Sequence, residues 1–401
     1  MDSVATRPAP VSVVIPARNR LPLLRYCLAS LEYQDTAPSD LEVVVVDDGS
    51  EDGTAQWLSG YRPPYALQVV RRRAAFGRAA ARNAGLRAAG GEIVVFADAD
   101  VVAPPTLIGM HRRLHAQWRG EGTLCVSGHP WCWRSVRTWV FPGSGPGPRA
   151  IGGSQSQFPA SRPPGPDGRP ATPVGPALPL EALADWPRFE RWAGGPLARR
   201  GQAVRLARTD AAPWLWFVTR VVSLGRRWAG DSGGFCEGFA GYGLEDWEFG
   251  YRLAKAGTRF VAHPAASVFH QEHPPADRTP TDLVRNYALF LGLHPEAEVG
   301  LMAWRPPWSQ MDRYAEDCRA QQRLREVAPT VAAALGEAAV AYGRAWIAGQ
   351  GRTGLPRTWP GWAAHWGPAR VWAMQREQMA ALPDPLARQG IALWQALSGQ
   401  R

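Results

Sequence analysis

Four strings of this sequence carry side chains that can do chemistry. FADAD places Asp98 and Asp100 two residues apart, directly after a strand-like run. In an extended stretch, residues at i and i+2 project to the same side. Both carboxylates can then face one divalent cation, as hard oxygen ligands for magnesium or manganese on a diphosphate. VVVVDDGSEDGT sets Asp47 and Asp48 at the tip of an all-valine strand. A turn and a helix N-cap account for Gly49, Ser50 and Asp52, but not for two adjacent carboxylates, one of which can accept from the N3–H of a uracil base. GRAAARNAG, from Gly77 to Gly85, puts Arg78 and Arg82 at i and i+4, on one face of a helix near its N-terminus, where anions are favoured.

The longest string is GGFCEGFAGYGLEDWEFGYRLAKAG, from Gly233 to Gly257. Gly and aromatic residues lead into Glu245 and Asp246, after which Trp247, Phe249, Tyr251 and Leu253 begin an amphipathic helix. The acidic pair could merely cap that helix. Beneath an aromatic wall it also suits a general base for a sugar hydroxyl, with Asp246 the expected base and Glu245 beside it. In SVFHQEHP, His270 is expected to complete a divalent-metal site begun by carboxylates, and His273 reads as an ordinary loop histidine. His111 and His115 lack the glutamate of H-E-x-x-H and read as a helix face. Gly145-Pro-Gly-Pro-Arg-Ala150 matches a dinucleotide pattern only nominally, because its prolines remove the backbone donors that would hold a pyrophosphate.

These residues need elements to position them. Val11 to Ile15, Glu42 to Val46, Leu67 to Val70 and Glu92 to Phe96 are short apolar runs of the kind buried in a parallel sheet. Between them Leu21 to Leu31, Thr54 to Leu58 and Arg78 to Ala88 show helical spacing. This predicts β-α-β-α-β-α-β, a Rossmann-like half whose ligands sit beyond the carboxyl ends of the strands. Phe141 to Leu180 is Pro- and Gly-rich and predicts a long loop. Patterning returns from Trp214 to about His273, and beyond Thr281 the chain reads mostly helical. The expected organisation is a catalytic domain over 1–275, with a loop insertion within 141–210, and a helical, tryptophan-rich region over 276–401.

The chain has 401 residues, 45% hydrophobic and 20% charged, which excludes a collagen or a wholly disordered chain. Its net charge is +10, but Lys255 is its single lysine and the arginines are scattered, so nucleic acid is not an expected partner, whereas a phosphorylated ligand is. Five cysteines without a C-x-x-C pair read as reduced thiols. The first strand-like run begins by Val11, which leaves no room for a secretion signal, and no apolar stretch is long enough to span a bilayer. A cytoplasmic protein is expected. Trp304, Trp308, Trp346, Trp359, Trp362, Trp366, Trp372 and Trp394 crowd the tail. Core packing, an acceptor platform or a peripheral contact at the inner face of a membrane would each use them.

In their order along roughly residues 10 to 275, VSVVIPARNR, VVVVDDGSEDGT, AAARNAGLRAAGGEIVVFADAD and the GGF…GLEDWEFGYRLAKAG string resemble the inverting family-two glycosyltransferases. The likeness is to members with a GT-A fold, notably bacterial relatives of the chondroitin-polymerase and galactosyltransferase type. The resemblance implies an α/β fold with a mixed sheet flanked by helices. It implies a nucleotide-sugar donor, UDP-linked, and a glycan or glycolipid acceptor. Pro16, Arg18, Asp47 or Asp48, Arg78 or Arg82, Asp98 and Trp247 are then donor contacts, while Asp98, Asp100 and His270 hold a manganese or magnesium ion and the acidic pair supplies the base. Retaining mucin-type relatives carry Asn after the carboxylate, so Asp246 implies inversion. Thr219-Arg220-Val221 departs from the relatives' usual T-x-N/S, and Cys236-Glu237 from their Asp-Glu. Two other readings stand beside this one: a catalytically silent glycan- or nucleotide-binding module, and a nucleotidyltransferase. Intact Asp98, Asp100 and Asp246 argue against the first, and the lack of an early Gly-rich, basic phosphate loop against the second.

Overall fold

The predicted alternation is present: β1 (Val11–Ala17), α1 (Leu21–Glu32), β2 (Leu41–Asp48), α2 (Thr54–Gly60), β3 (Ala66–Arg72), α3 (Arg78–Ala88) and β4 (Ile93–Ala97). There follow β5 (Val101–Val102), α4 (Leu107–Gln117), β6 (Leu124–Ser127), β7 (Arg134–Val136), β8 (Trp139–Val140), β9 (Gly175–Pro176), α5 (Trp186–Trp192), β10 (Val221–Gly225), α6 (Arg226–Asp231), α7 (Glu245–Lys255), β11 (Arg259–Ala262) and β12 (Phe269–Gln271). The computed structural model describes residues 10–128, 134–136, 139–140, 175–176, 178, 180–192, 211–273, 280–349 and 392. These fall in two units, one within Met1–Arg199, Trp214–Gly241 and Glu245–Arg278, the other within Arg200–Pro213, Tyr242–Leu244 and Thr279–Arg401.

The first unit is built on a seven-stranded sheet in the order β11-β6-β10-β4-β1-β2-β3. Its strands pair in parallel except β10, which runs against β4 and β6. This is a mixed α/β sheet, as the resemblance implied. Continuous valine runs follow from it, because central strands are covered on both faces. Val13, Ile15, Val43, Val45 and Val95 pack into one core, and Val14, Val44, Val46, Val94 and Phe96 into the other. Each such side chain contributes about 1.5–3 kcal/mol when fully buried. The third run, Leu67 to Val70, is the exception: β3 is an edge strand with Val69 exposed. Helix α3 is seated tightly on this sheet at Gly85, where a Cβ would run into Val14 and Val46. That close approach sets the height of the arginine helix over the strand ends.

A second, three-stranded sheet, β5-β12-β7, begins where the first ends. β5 follows Asp100 directly and pairs antiparallel with β12, placing His270 opposite Val101.

The second unit contains α8 (Pro280–Leu293), α9 (Ala297–Trp304), α10 (Pro307–Val327) and α11 (Pro329–Ala348), as the helical reading beyond Thr281 expected. Two of the tail tryptophans pack edge-on against tyrosines there, Trp304 on Tyr342 and Trp346 on Tyr287. Trp359, Trp362, Trp366, Trp372 and Trp394 lie outside the described residues, as do Gly145 to Ala150 and most of the Pro/Gly-rich stretch. Among the described residues no helix is long and apolar enough to cross a membrane. Cys27, Cys125, Cys236 and Cys318 are free thiols.

Candidate active site

The loops after β1, β2 and β3 are tied to one another. Asn19, at φ 51°, donates its amide to Ser50 Oγ at 3.0 Å and accepts from the Glu51 amide at 2.8 Å. Asp52 accepts from the Leu21 amide at 2.8 Å and so caps α1 from the neighbouring loop. The two aspartates of the second string have different duties. Asp48 spans the loop after β3, accepting from the Phe76 and Gly77 amides at 3.1 and 2.9 Å, with Arg72 at 3.6 Å. Asp47 uses one oxygen on the Ser50 amide at 2.9 Å, and its other oxygen is buried without a partner. Pro16 is half-buried and Arg18 exposed beside them. Holding the loop presents Phe76, 60% exposed, with the Arg72 guanidinium 4.2 Å over its ring. No sequence pattern singled out Phe76, because one aromatic residue in a loop has no period.

On α3, Arg78 and Arg82 share a face as expected, yet neither is a solvated helix arginine. Arg78 donates to the Gly241 carbonyl at 3.0 Å. Arg82 is 2% exposed and donates to Glu245 Oε1 at 2.9 Å and Asp98 Oδ1 at 3.1 Å. The next residue, Asn83, exchanges hydrogen bonds with the Phe235 backbone, both at 2.8 Å, and reaches Glu237 at 2.9 Å. This pins the GGF segment to the arginine helix and sets the Phe235 ring 5.6 Å from the Arg82 guanidinium. Gly234 makes the approach possible: its φ is +66°, and a Cβ there would lie 2.5 Å from Asn83 Oδ1. Gly234→Ala is expected to cost about 1–3 kcal/mol from backbone conformation alone, read as a lowered denaturant midpoint with unchanged slope.

The acidic pair begins α7 as predicted. Burial opposes ionisation of Glu245, but Arg82 and then Arg78 hold its carboxyl below the usual carboxylate range. Asp246 is pushed up to about 7 by burial and by the Glu245 charge, against the pull of Arg82. One oxygen of Asp246 accepts from the Trp247 amide at 2.9 Å. Trp247 is buried and meets Trp214 edge-on at 6.1 Å. The expected aromatic wall is therefore packed core beneath the pair, joined by Phe217, Phe235 and Phe249.

Asp98 and Asp100 diverge. The strand ends at Ala97 and the chain turns at Ala99 and Asp100, so the alternation of an extended stretch does not apply to the pair. Asp98 meets Arg82, whereas Asp100 joins His270 and His273, with one ligand atom from each of the three lying within 4.8 Å of the others. The nearer imidazole is that of His273, its Nε2 2.9 Å from Asp100 Oδ2, with His270 Nε2 at 3.8 Å from Oδ1. Burial disfavours charge on Asp100, yet His270, His273 and Arg20 bring its carboxyl below the ordinary range. Burial pushes the His270 imidazole down to about 3 against the attraction of Asp100, so this ring is neutral, the form that ligates metals. Asp100 Oδ1 is buried without a hydrogen-bond partner. A carboxylate and two imidazoles around an unpartnered oxygen are a donor set that a divalent cation fits. The signal for His273 was its three-residue spacing from His270.

His111 and His115 share one face of α4, as read, and that face is turned to the sheet. Both hydrogen-bond Ser223 Oγ, at 2.7 and 2.9 Å, and His111 is fully buried.

Two stretches of the chain match known families. Residues 12–120 match the model for glycosyl transferase family 2, and residues 213–274 match that for the N-terminal domain of galactosyltransferase. The chain is 29% identical over 293 residues to the uncharacterized glycosyltransferase YfnE of Bacillus subtilis (strain 168), covering 69% of this chain and 68% of that one. It is 31% identical over 259 residues to validoxylamine A glucosyltransferase of Streptomyces hygroscopicus subsp. limoneus, covering 62% of this chain and 48% of the relative. With the chondroitin synthase of Escherichia coli it shares 28% identity over 278 residues, covering 68% of this chain and 36% of that protein. The chain thus spans about half or less of the length of the latter two.

Proposed function

We propose that this chain, a glycosyltransferase that belongs to glycosyl transferase family 2, moves a hexose from a UDP-sugar to a hydroxyl of a glycan or similar acceptor. Transfer inverts the anomeric carbon, and Asp246 is the general base. The observation that carries this reading is the division of labour in the acidic pair. Glu245 is committed to Arg82 at 2.9 Å, while Asp246, pushed up to about 7, exchanges a proton near neutrality. In the reaction the acceptor O–H bond breaks and its proton passes to the Asp246 carboxylate. The acceptor oxygen bonds to the anomeric carbon on the face opposite the diphosphate, and the carbon–oxygen bond to the nucleoside diphosphate breaks. Asp100, His270 and His273 would hold a manganese or magnesium ion, whose charge would offset that of the departing diphosphate. Asp98 is held by Arg82 at 3.1 Å.

The nucleoside end of the donor fits the tied loops, with the unpartnered Asp47 oxygen as acceptor for a base N–H and Phe76 as a stacking surface. Phe76→Ala is expected to weaken UDP binding by about 1–3 kcal/mol, the usual worth of base–aromatic stacking, measured by titration calorimetry.

The overall reading is tested by a thermal-shift screen of UDP-, GDP- and dTDP-sugars with and without manganese. A donor at 100 times its dissociation constant raises stability by about 2.7 kcal/mol. A shift with one nucleotide class that grows with manganese supports the reading; no shift with any of them sinks it.

A further inference from the structure

Arg82 has an unusual position for a charged side chain. It is 2% exposed, it donates to two carboxylates on different elements, and its Nε is buried without a partner. The carboxylates come from the end of β4 and the start of α7, and a third, Asp246, follows Glu245 in the chain. Around the guanidinium stand Asp98, Glu245 and Asp246 as acids, Arg78 as a second cation, and the Phe235 ring at 5.6 Å. Glu245 and Asp246 are adjacent carboxylates beside one buried cation, and like charges so close disfavour ionisation of both. Hydrogen bonding decides which of the two holds a proton. Glu245 spends Oε1 on Arg82, and a carboxylate that accepts a charge-assisted bond resists protonation. Asp246 accepts from one backbone amide, that of Trp247.

We propose that Arg82 is a positioning residue for proton transfer: by donating to Glu245 and Asp98 at once, it withholds Glu245 from proton exchange and leaves Asp246 the member of the pair that takes the acceptor's proton. This rests on the reading of Asp246 as base, and it adds what selects between two adjacent carboxylates. The groups that face Asp246 are Glu245, Arg82 and Asp98. Glu245 faces Arg82 and Arg78. Removing the Arg82 charge while the rest remain should shift the proton from Asp246 toward Glu245.

The test reads the proton directly. Infrared difference spectra of the full chain between about pH 6 and pH 9 follow the carbonyl stretch of a protonated carboxyl group, and need no substrate. The wild-type band is expected to vanish in Asp246→Asn and to persist in Glu245→Gln. In Arg82→Gln, which keeps a hydrogen-bond donor but no charge, a band is expected that survives the added Asp246→Asn change and is lost on the further change Glu245→Gln, because Glu245 and not Asp98 now carries the proton. A merely structural arginine would lower the melting temperature without reassigning the band. If Arg82→Gln fails to fold, Arg82→Lys takes its place, since one ammonium cannot bridge Glu245 and Asp98 as the guanidinium fork does: a band that moves in part to Glu245 upholds the proposal, and one that stays on Asp246, or a wild-type band abolished by Glu245→Gln, overturns it. UDP release from a mixture of UDP-glucose, UDP-galactose and UDP-N-acetylglucosamine separates the two readings. Wild-type release by Asp246→Asn defeats the base assignment. Loss of release by that variant, with the band on Glu245, defeats the role of Arg82 alone.

Discussion

Asp246→Asn is expected to fold, to bind its nucleotide sugar with unchanged affinity, and to lose at least about 100-fold in transfer, since general-base catalysis typically contributes about 10²–10⁴-fold. Asparagine keeps the shape of the side chain and can still accept from the Trp247 amide, so a role confined to capping α7 predicts little change in stability or turnover. What disappears is the capacity to take a proton. Glu245 is a poor substitute, because Arg82 holds its carboxylate. The pH dependence has a definite sign. A base must be deprotonated to act, and burial with the Glu245 charge pushes Asp246 up to about 7. Wild-type kcat should therefore be near its plateau above pH 8 and fall about tenfold per unit well below pH 7. Turnover of Asp246→Asn within threefold of wild type would move the base role elsewhere, with Glu245 the next candidate.

The second large effect concerns the three-residue cluster. Transfer is expected to cease in excess EDTA, and Asp100→Ala, His270→Ala and His273→Ala should each abolish the manganese-dependent part of the donor thermal shift. Each should also lower turnover by about 100-fold or more, because replacing even an outer-shell partner of a metal ligand costs about 10–100-fold. His273 is the discriminating member. Its Nε2 stands 2.9 Å from Asp100, closer than that of His270 at 3.8 Å, so the His273 variant should be at least as impaired as that of His270. Manganese titration by calorimetry provides a readout that does not depend on turnover. Wild-type manganese affinity in both histidine variants would exclude the cluster as a cation site.

The order of strands and helices through the first hundred residues was legible because periodicity reports burial, and burial selects the element. Four consecutive valines need cover on both faces, and only a central strand in a layered α/β fold provides it. β3 has the same apolar character and is an edge strand, since a short run does not record how many neighbours it acquires. Asp246, Glu245, Asp100, Arg82 and His270 were legible as candidates by residue type and by position after a strand or at a helix start.

Partnership was not legible. Asp98 and Asp100 are two residues apart but serve different groups, because a turn replaces the extended stretch assumed between them. His273 comes to Asp100 across 173 residues, and Arg82 to Glu245 across 163, through a β5–β12 pairing and a helix seated at Gly85 that no local pattern encodes. Residue type and local period follow from forces acting over a few ångströms along the chain, so one sequence suffices to show which groups could do chemistry. Which carboxylate keeps its proton depends on burial and on a cation brought from another element, and these exist only once the chain has closed on itself.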